Sequence, residues 1–260
     1  MSTDNNHLYD DLLRACIHKE FELYYQPQVT LADRMVVGVE VLVRWHHPTL
    51  GLLYPDAFIP FAEETGLITQ LTETIIKMAF AQRALWESQF TQLHFSINIS
   101  SQDVLSLFLP NLIEELCEQN GMQPSFLTFE LTETAVMQEL TSSLEVLNRL
   151  KMKGFHLSID DFGTGYSSLA KLYDAPFDEL KIDRRFTKDL LANHQAQTIV
   201  DICVMLAKAL DMTLVAEGIE DEQTFEYLQR YPEIIGQGYW IAKPLSREQF
   251  EQWFDSWKRG

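Results

Sequence analysis

Polar side chains that could bind metal ions recur at the ends of the predicted β-strands. They are mainly carboxylates set among apolar neighbours, and they comprise Glu40, Asn98, Glu130, Asp160, Asp161, Lys181, Glu217 and Gln237. Arg44 lies four residues past Glu40, on the same predicted strand. In a barrel of parallel strands, the carboxyl ends of the strands meet at one mouth, where several strands contribute functional residues. The spacing therefore predicts one shared polar site.

Five carboxylates at one mouth repel one another. Two like charges about 4 Å apart repel by ~4 kcal/mol at an effective dielectric near 20, and Lys181 and Arg44 supply only two positive charges. Divalent cations restore the balance, and carboxylate and amide oxygens suit the hard ions Mg²⁺ and Mn²⁺. The adjacent Asp160 and Asp161 could serve two ions about 3.5–4 Å apart, as in two-metal phosphodiester hydrolysis. Taken singly, a strand-end Glu is also typical of a salt bridge, and an Asp-Asp pair before Gly is typical of a turn.

The elements that would position these residues alternate along the chain. Apolar, aromatic and alternating segments predict eight strands, over residues 21–29, 36–45, 93–99, 126–131, 155–159, 177–182, 212–216 and 234–239. Helical spacing and caps predict helices over residues 55–65, 69–88, 101–120, about 140–153, 199–210, 222–230 and from 246 onward. The short connection between the first two strands predicts an antiparallel hairpin. The order predicts an α/β fold, a modified (β/α)8 TIM barrel with an antiparallel first hairpin.

Length and composition narrow the class of protein. The 260 residues are 46% hydrophobic and carry a net charge of −18, which excludes global disorder and argues against a basic nucleic-acid footprint. No segment reaches the ~18 apolar residues that span a bilayer. Three distant cysteines do not indicate a disulfide framework, and the polar N-terminus does not resemble a signal peptide. We expect one cytoplasmic domain over residues 1–260, with a core at about 20–257 and no nucleic-acid partner or membrane insertion.

Several motifs, in order, resemble those of EAL-domain cyclic di-GMP phosphodiesterases. Glu40-Val41-Leu42, within EVLVRW, stands where that family has its signature tripeptide, with Val41 replacing the middle Ala. The other similar segments are SINIS, ELTE (130–133), DDFGTGYSSL (160–169), LKID, AEGIE and QGYWIAKP. The resemblance covers about Glu20 to Trp257, which is nearly the whole chain.

The resemblance implies a role for each matching residue. A first ion would be bound by Glu40, Asn98, Glu130 and Asp160, with Asp160 bridging to a second ion held by Asp161 and Glu217. Catalytic roles would fall to Glu217, Asp161, Lys181 and Gln237, with Glu217 or Asp161 as the proton acceptor. Substrate contacts would come from Gln26, Leu42, Arg44 and Asp183. Glu133 would brace the loop that starts at Asp160, where Gly163 and Gly165 would give the backbone freedom to move.

The implied activity is hydrolysis of cyclic di-GMP to linear pGpG by a water that two Mg²⁺ or Mn²⁺ ions activate. Two alternatives stay open: a catalytically silent cyclic di-GMP receptor, and a metal-dependent hydrolase of another phosphodiester. Every metal-contacting residue type is present, which favours hydrolysis over the receptor. The resemblance also implies a homodimer in bacterial second-messenger signalling, and the length is compatible with the catalytic portion of a longer protein that carries a sensor domain.

Overall fold

The computed structural model describes residues 3–86, 90, 92–165 and 169–257. Within these ranges the chain forms nine strands: β1 (Phe21–Thr30), β2 (Val36–His47), β3 (Gly51–Leu53), β4 (His94–Asn98), β5 (Leu127–Thr132), β6 (His156–Phe162), β7 (Glu179–Ile182), β8 (Thr213–Ala216) and β9 (Ile234–Gly236). The same ranges contain ten α-helices: α1 (Thr3–His18), α2 (Ile59–Thr65), α3 (Ile68–Leu85), α4 (Leu109–Asn120), α5 (Glu133–Met152), α6 (Leu169–Asp174), α7 (Arg184–Lys188), α8 (His194–Ala209), α9 (Glu222–Leu228) and α10 (Arg247–Trp257).

Eight of these strands close into a barrel. The strand order is β1-β9-β8-β7-β6-β5-β4-β2, and β1 closes the ring by pairing with β2. Strand β1 runs antiparallel to both of its neighbours, whereas the remaining barrel pairs are parallel. Helices alternate with the strands after the hairpin. The structure therefore confirms the predicted modified (β/α)8 barrel with an antiparallel first hairpin.

The first hairpin sets the register that the site depends on. Strands β1 and β2 pair from Phe21↔Trp45 through Gln26↔Glu40. The turn between them is tight because the Thr30 hydroxyl accepts a hydrogen bond from the Met35 amide at 3.0 Å. Gln26 is therefore held beside Glu40 on the inner wall of the barrel.

Inner and outer faces of the barrel differ in polarity. On β4, Phe95 and Ile97 are fully buried in the apolar core, and the Phe95 ring lies 5.3 Å from that of Trp86, just past the end of α3. The intervening Ser96 and Asn98 point into the barrel, since successive side chains on a strand alternate between faces. Interiors of such barrels are ordinarily filled by branched apolar side chains, so polar residues at these positions mark a site.

Several element boundaries differ from the sequence prediction. Helix α1 and strand β3 were not predicted: α1 lies against α2 and α3 and buries Leu12 and Ala15, and β3 pairs with β2, outside the closed ring. The predicted helix over 55–65 is a 3₁₀ turn followed by α2, because Phe58 leaves the helical conformation. Strand β9 ends at Gly236, since the chain turns at Gly238, whose carbonyl accepts two amide hydrogen bonds. The prediction for Ser88 falls outside the described residues.

Helices long and apolar enough to cross a bilayer are not found in the described parts of the chain.

Candidate functional site

The polar residues predicted from the sequence meet at the carboxyl end of the barrel, which we call the mouth. They are spread over seven strand ends: Glu40 on β2, Asn98 on β4, Glu130 on β5, Asp160 and Asp161 on β6, Lys181 on β7, and Glu217 and Gln237 just after β8 and β9. The register keeps neighbours level, since Asn98 is the direct partner of Glu130. The mouth is thus assembled from segments that are distant in sequence.

Lys181 is the centre of the mouth. Its fully buried ammonium lies 2.6 Å from Glu217 Oε1 and 3.0 Å from Glu130 Oε2, and 3.6 Å from oxygens of both Glu40 and Asp160. Burial alone would lower the pKa of this lysine, but the surrounding carboxylates raise it well above its usual value. Lys181 therefore stays charged and holds four acidic strand ends together.

Amide side chains fix the orientation of Glu40. Asn98 Nδ2 donates to Glu40 Oε1 at 2.9 Å, and Gln237 Nε2 donates to the second carboxylate oxygen. Gln237 also donates to Gln26 Oε1 at 3.1 Å and accepts from Gln28 Nε2 at 3.0 Å. Although burial opposes it, attraction to Lys181 and these donors lower the Glu40 pKa. Glu40 is therefore a fixed, ionised oxygen donor.

The other mouth carboxylates carry more negative charge than Lys181 can offset. Burial, with repulsion from Asp160, raises the pKa of Asp161 to about 7 and that of Glu217 to about 8. Burial and neighbouring carboxylates also raise the pKa of Glu130 well above its usual value. Such shifts arise when like charges share a site without enough counter-charge. The mouth is electrostatically suited to cations.

The donor set fits divalent metal ions. Asp160, Asp161 and Glu217 each offer a carboxylate oxygen, and these oxygens lie within 4.8 Å of one another. Glu130 Oε1 is buried and lacks a hydrogen-bond partner among the described residues, although its sister oxygen contacts Lys181. A buried acceptor without a partner is costly, and oxygen donors are the ligands that Mg²⁺, Mn²⁺ and Ca²⁺ prefer. The mouth could therefore hold one or more such ions.

The loop after Asp160 is tied to Glu133, the first residue of α5. One Glu133 oxygen accepts hydrogen bonds from the backbone amides of Gly163 at 2.8 Å and Gly165 at 3.2 Å. A Cβ atom on Gly165 would lie 2.8 Å from the other Glu133 oxygen, and one on Gly163 would lie 2.8 Å from the Phe186 ring. Both glycines are thus required by close packing, a reason the sequence prediction did not give. The predicted loop residues 166–168 lie outside the described part of the chain.

Two adjoining cavities open at the mouth. The first has a volume of about 410 Å³ and is lined by Gln26, Glu40, Leu42, Asp56, Asp160, Asp161, Arg184, Glu217, Gly218, Glu220, Gln237, Gly238 and Tyr239. The second, of about 450 Å³, is mainly apolar and shares Glu40, Leu42 and Asp56 with the first. A polar compartment that carries the carboxylates thus lies beside an apolar one.

The four predicted substrate contacts occupy different environments. Gln26 and Leu42 line the polar cavity. The Asp183 carboxylate caps α7 by accepting from the Arg185 amide at 2.7 Å, and it lies close enough to Asp161 to affect the pKa of that group.

Arg44 is buried just beyond the cavity lining. Its guanidinium stacks between Tyr24 and Tyr54, 5.3 and 4.9 Å from the ring centroids. Burial lowers its pKa.

Some mouth residues were not singled out from the sequence. Gln28 extends the amide network through Gln237, and Asp56, Arg184 and Tyr239 line the polar cavity. Gln28 could have been found from its spacing of two from Gln26 on the same strand, since alternate residues share a face. Asp56 lies in a 3₁₀ turn and Arg184 begins a helix, so neither carries a strand-end signal.

Comparisons with known proteins agree on one family. A family model for the EAL domain matches residues 9–244. The cyclic di-GMP phosphodiesterase PA2567 of Pseudomonas aeruginosa is 38% identical over 234 residues, which cover 90% of this chain and 40% of that protein. The cyclic di-GMP phosphodiesterase RocR of the same species is 35% identical over 240 residues, which cover 92% of this chain and 61% of that protein.

A solved structure gives the same result at the level of the fold. The PaMucR phosphodiesterase in complex with c-di-GMP is 37% identical, with a TM-score of 0.88, and the match covers 94% of this chain and 99% of that one. The chain spans only 30–61% of the length of the curated relatives that it matches, which are longer proteins.

Proposed function

The chain belongs to the EAL domain family, and we propose that it hydrolyses one phosphodiester bond of cyclic di-GMP to give linear pGpG. The observation that carries this proposal is the complete set of oxygen donors gathered around Lys181. Metal-dependent hydrolysis relies on such a set of oxygen ligands, whereas binding without turnover does not require it. Relatives of similar sequence that bear the name cyclic di-GMP phosphodiesterase support the choice of substrate.

Two divalent ions, Mg²⁺ or Mn²⁺, are the proposed cofactors. The first would be held by Glu40, Asn98, Glu130 and Asp160, and the second by Asp160, Asp161 and Glu217. The unpartnered Glu130 Oε1 and the three clustered carboxylates support this assignment. When bound, the ions would lower the pKa of a water and offset charge on the reacting phosphate.

The proton from the attacking water needs an acceptor at the mouth. Glu217 and Asp161 are the two candidates, because both carboxylates line the polar cavity and a general base must lie within reach of the proton that it removes. Glu217 is also hydrogen-bonded by Lys181 at 2.6 Å, so its carboxylate is held in one orientation. The choice between these two carboxylates stays open.

Lys181 and Gln237 would position the reaction. The Lys181 ammonium is fully buried and charged, so it can stabilise negative charge that develops on phosphate oxygens. Gln237 bridges Glu40, Gln26 and Gln28, and it would keep the Glu40 carboxylate aimed at the mouth.

The substrate carries two phosphodiester charges and two guanine bases. We place the reacting phosphate in the polar cavity and a base in the apolar cavity beside it, because the two meet at Glu40 and Leu42. Gln26, Leu42 and Asp183 would make polar and apolar contacts near the phosphate. Arg44, held between two tyrosines, would supply a positive charge at the rim.

A homodimer is the proposed assembly. Helix α6 follows the loop that Glu133 braces, and it exposes 76% of Tyr173. On α8, Ile202 and Met205 are also more than half exposed. Exposed apolar groups at such positions are typical of protein contacts, and light scattering of the purified chain would report the mass of the assembly.

The test of activity is incubation of the purified chain with cyclic di-GMP and Mn²⁺ or Mg²⁺, followed by chromatography of the nucleotides. We expect pGpG to accumulate, and a chelator to stop its formation. Glu217→Gln should lose the activity, whereas the exposed Glu226→Gln, on α9, should keep it. Tight binding of cyclic di-GMP without pGpG would instead support the receptor, and faster cleavage of an adenine-containing dinucleotide would indicate another substrate.

A further inference from the structure

A row of polar residues crosses the barrel wall from the mouth to the opposite, amino-terminal end. Residues on adjacent strands pair directly in the order Asn98, Glu130, Ser158, Glu179 and Thr213. Asn98 is the last residue of β4, whereas Glu179 and Thr213 are the first residues of β7 and β8. Direct partners in a sheet point to the same face, so the row descends the inner wall because the strands tilt.

Two oxygens at the lower end of this row make no well-formed hydrogen bond to the described residues. Ser158 is fully buried, and its hydroxyl is one of the two. The other is the buried Oε1 of the neighbouring Glu179. Burial raises the pKa of the Glu179 carboxyl, and the nearby Ser158 hydroxyl opposes that rise. Buried polar groups without partners are rare and call for an explanation such as a bound water or ion.

Glu179, beside Ser158, lines a cavity that we call the amino-end cavity. Its volume is about 190 Å³, and its lining consists of Gln28, Val37, His94, Ser96, Thr128, His156, Asp178, Glu179, Thr213 and Ile235. Most of these side chains carry oxygen, as carboxylate, hydroxyl or amide. Since one water takes up about 30 Å³ of liquid volume, the cavity has room for an ion with several waters.

Positive groups near Glu179 are already engaged. Lys181 contacts four mouth carboxylates, and Lys151 pairs with Asp178. Burial lowers the pKa of His94, which leaves that ring neutral. Burial also raises the pKa of Glu179, as expected for a carboxylate whose counter-charge is missing.

The second imidazole of the cavity faces the same acid as Lys151. His156 Nδ1 lies 3.6 Å from Asp178 Oδ2, so any charge on this ring is shared with that carboxylate rather than reserved for Glu179.

We propose that the amino-end cavity binds one monovalent inorganic cation, of the K⁺ or Na⁺ class, with Glu179 as its charged ligand and Ser158 beside it. Because Lys151 pairs with the other lining carboxylate, Asp178, the charge of Glu179 among neutral oxygens matches one positive charge. The cavity does not match a divalent site: within the described ranges, the one set of three acidic, histidine or cysteine residues with ligand atoms inside 4.8 Å is at the mouth. The cation would neutralise Glu179 and join β6 to β7 below Lys181.

Crystals soaked in Rb⁺ or Tl⁺ test the proposal directly, because both ions scatter anomalously and replace K⁺. We expect an anomalous peak next to Glu179 Oε1 in the wild type and its absence in Glu179→Gln. A cavity that holds only water in wild-type crystals, with no anomalous peak, would overturn the proposal. The experiment does not involve cyclic di-GMP, so its failure is distinct from failure of the proposed function.

Thermal unfolding provides the test in solution. We compare melting temperatures in potassium chloride and in tetramethylammonium chloride at equal concentration. At a tenfold or greater excess over Kd, potassium should raise the wild-type melting temperature by about 2–4 °C. The rise should vanish in Glu179→Gln. It should shrink in Ser158→Ala, which keeps the Glu179 carboxylate and serves as the test if Glu179→Gln does not fold. It should persist in the surface control Glu226→Gln. Equal melting temperatures in both salts for the wild type would contradict the proposal.

Discussion

The two ends of the barrel handle buried negative charge in different ways. At the mouth, Lys181 contacts four carboxylates, and two amide side chains fix the orientation of one of them, Glu40. At the amino end, Lys151 pairs with Asp178, whereas Glu179 has a buried oxygen without a well-formed hydrogen bond to the described residues. The mouth collects several charges so that exchangeable ions complete it, whereas the amino end presents the one charge of Glu179 to a small cavity. The high charge density of the mouth suits it to catalysis, whereas the lower charge density of the amino end suits it to structural support.

Both ends depend on the same pattern of alternation. Along β6, His156, Ser158 and Asp160 face the barrel interior, while the intervening Leu157 and Ile159 are fully buried in the apolar core. The outer residues hold the helices in place, and the inner residues carry the polar row from one end to the other. The scaffold thus fixes the spacing between the two ends.

The largest expected difference between the two ends is in activity, when one acidic residue is changed at each end. Glu40→Ala should lower kcat/KM for cyclic di-GMP by about 10²- to 10³-fold, because loss of one partner from a buried charged cluster costs about 3–5 kcal/mol and each ~1.4 kcal/mol is tenfold. Glu179→Gln should change kcat/KM by less than about threefold, which is under ~1 kcal/mol. Both values come from steady-state assays of pGpG formation. Equal losses at the two ends would show that the barrel interior acts as one unit.

The hydrogen bonds between Glu133 and the loop after Asp160 are expected to support metal binding at the mouth. Glu133→Gln removes the charge that accepts hydrogen bonds from the Gly163 and Gly165 amides. We expect Mg²⁺ affinity, measured by calorimetry, to fall about 10- to 100-fold, the range typical of residues that orient metal ligands. The exposed Glu145→Gln, on the same helix, is the matched control and should bind Mg²⁺ like the wild type. Unchanged affinity in Glu133→Gln would remove the loop from the metal site.

A smaller effect is expected in the pH dependence of stability. The folded-state pKa values of Asp161 and Glu217, about 7 and about 8, lie above their ordinary values of 3.8 and 4.5. The folded, ion-free protein therefore binds more protons than the unfolded chain, and these groups reduce its stability as pH rises from about 4 to about 8. Divalent ions need the deprotonated carboxylates. The gain in melting temperature on adding Mg²⁺ should grow by a few degrees between pH 5.5 and 8.5.

Calorimetric or fluorimetric melting curves with and without Mg²⁺ at both pH values supply the data. In Glu217→Gln the pH dependence of the gain should be smaller, since one titrating ligand is gone. A gain that is the same at pH 5.5 and 8.5 in the wild type would contradict the charge account of the mouth.

The fold and the mouth could be predicted because their signals are local in sequence. Each strand is a short apolar run that ends in a polar residue, and barrel geometry alone brings Glu40, Asp160 and Glu217 to one end. The antiparallel start followed from the short connection between the first two strands. The motifs around these residues then identified the family, which the matching family model supports.

Other features could not be predicted because they depend on tertiary contacts. Helix α1 is strongly polar in sequence and is held by a few buried residues such as Leu12, and β3 has only three residues. The amino-end cavity was not predicted because Glu179 is the first residue of its strand, whereas functional residues of a barrel are expected at the carboxyl ends of strands. Alternation over His156, Ser158 and Asp160 contains this information, but the pairing that links Ser158 to Glu179 is visible only in the sheet register.

The most direct test of the central claim is a crystal of this chain soaked in Mn²⁺ and measured at the manganese absorption edge. The account predicts two anomalous peaks at the mouth, about 3.5–4 Å apart. One peak should contact Glu40, Asn98 and Glu130, the other Asp161 and Glu217, and both should contact Asp160. A mouth without manganese, in crystals whose carboxylates are ordered and deprotonated, would contradict the two-ion site and the hydrolysis proposed from it.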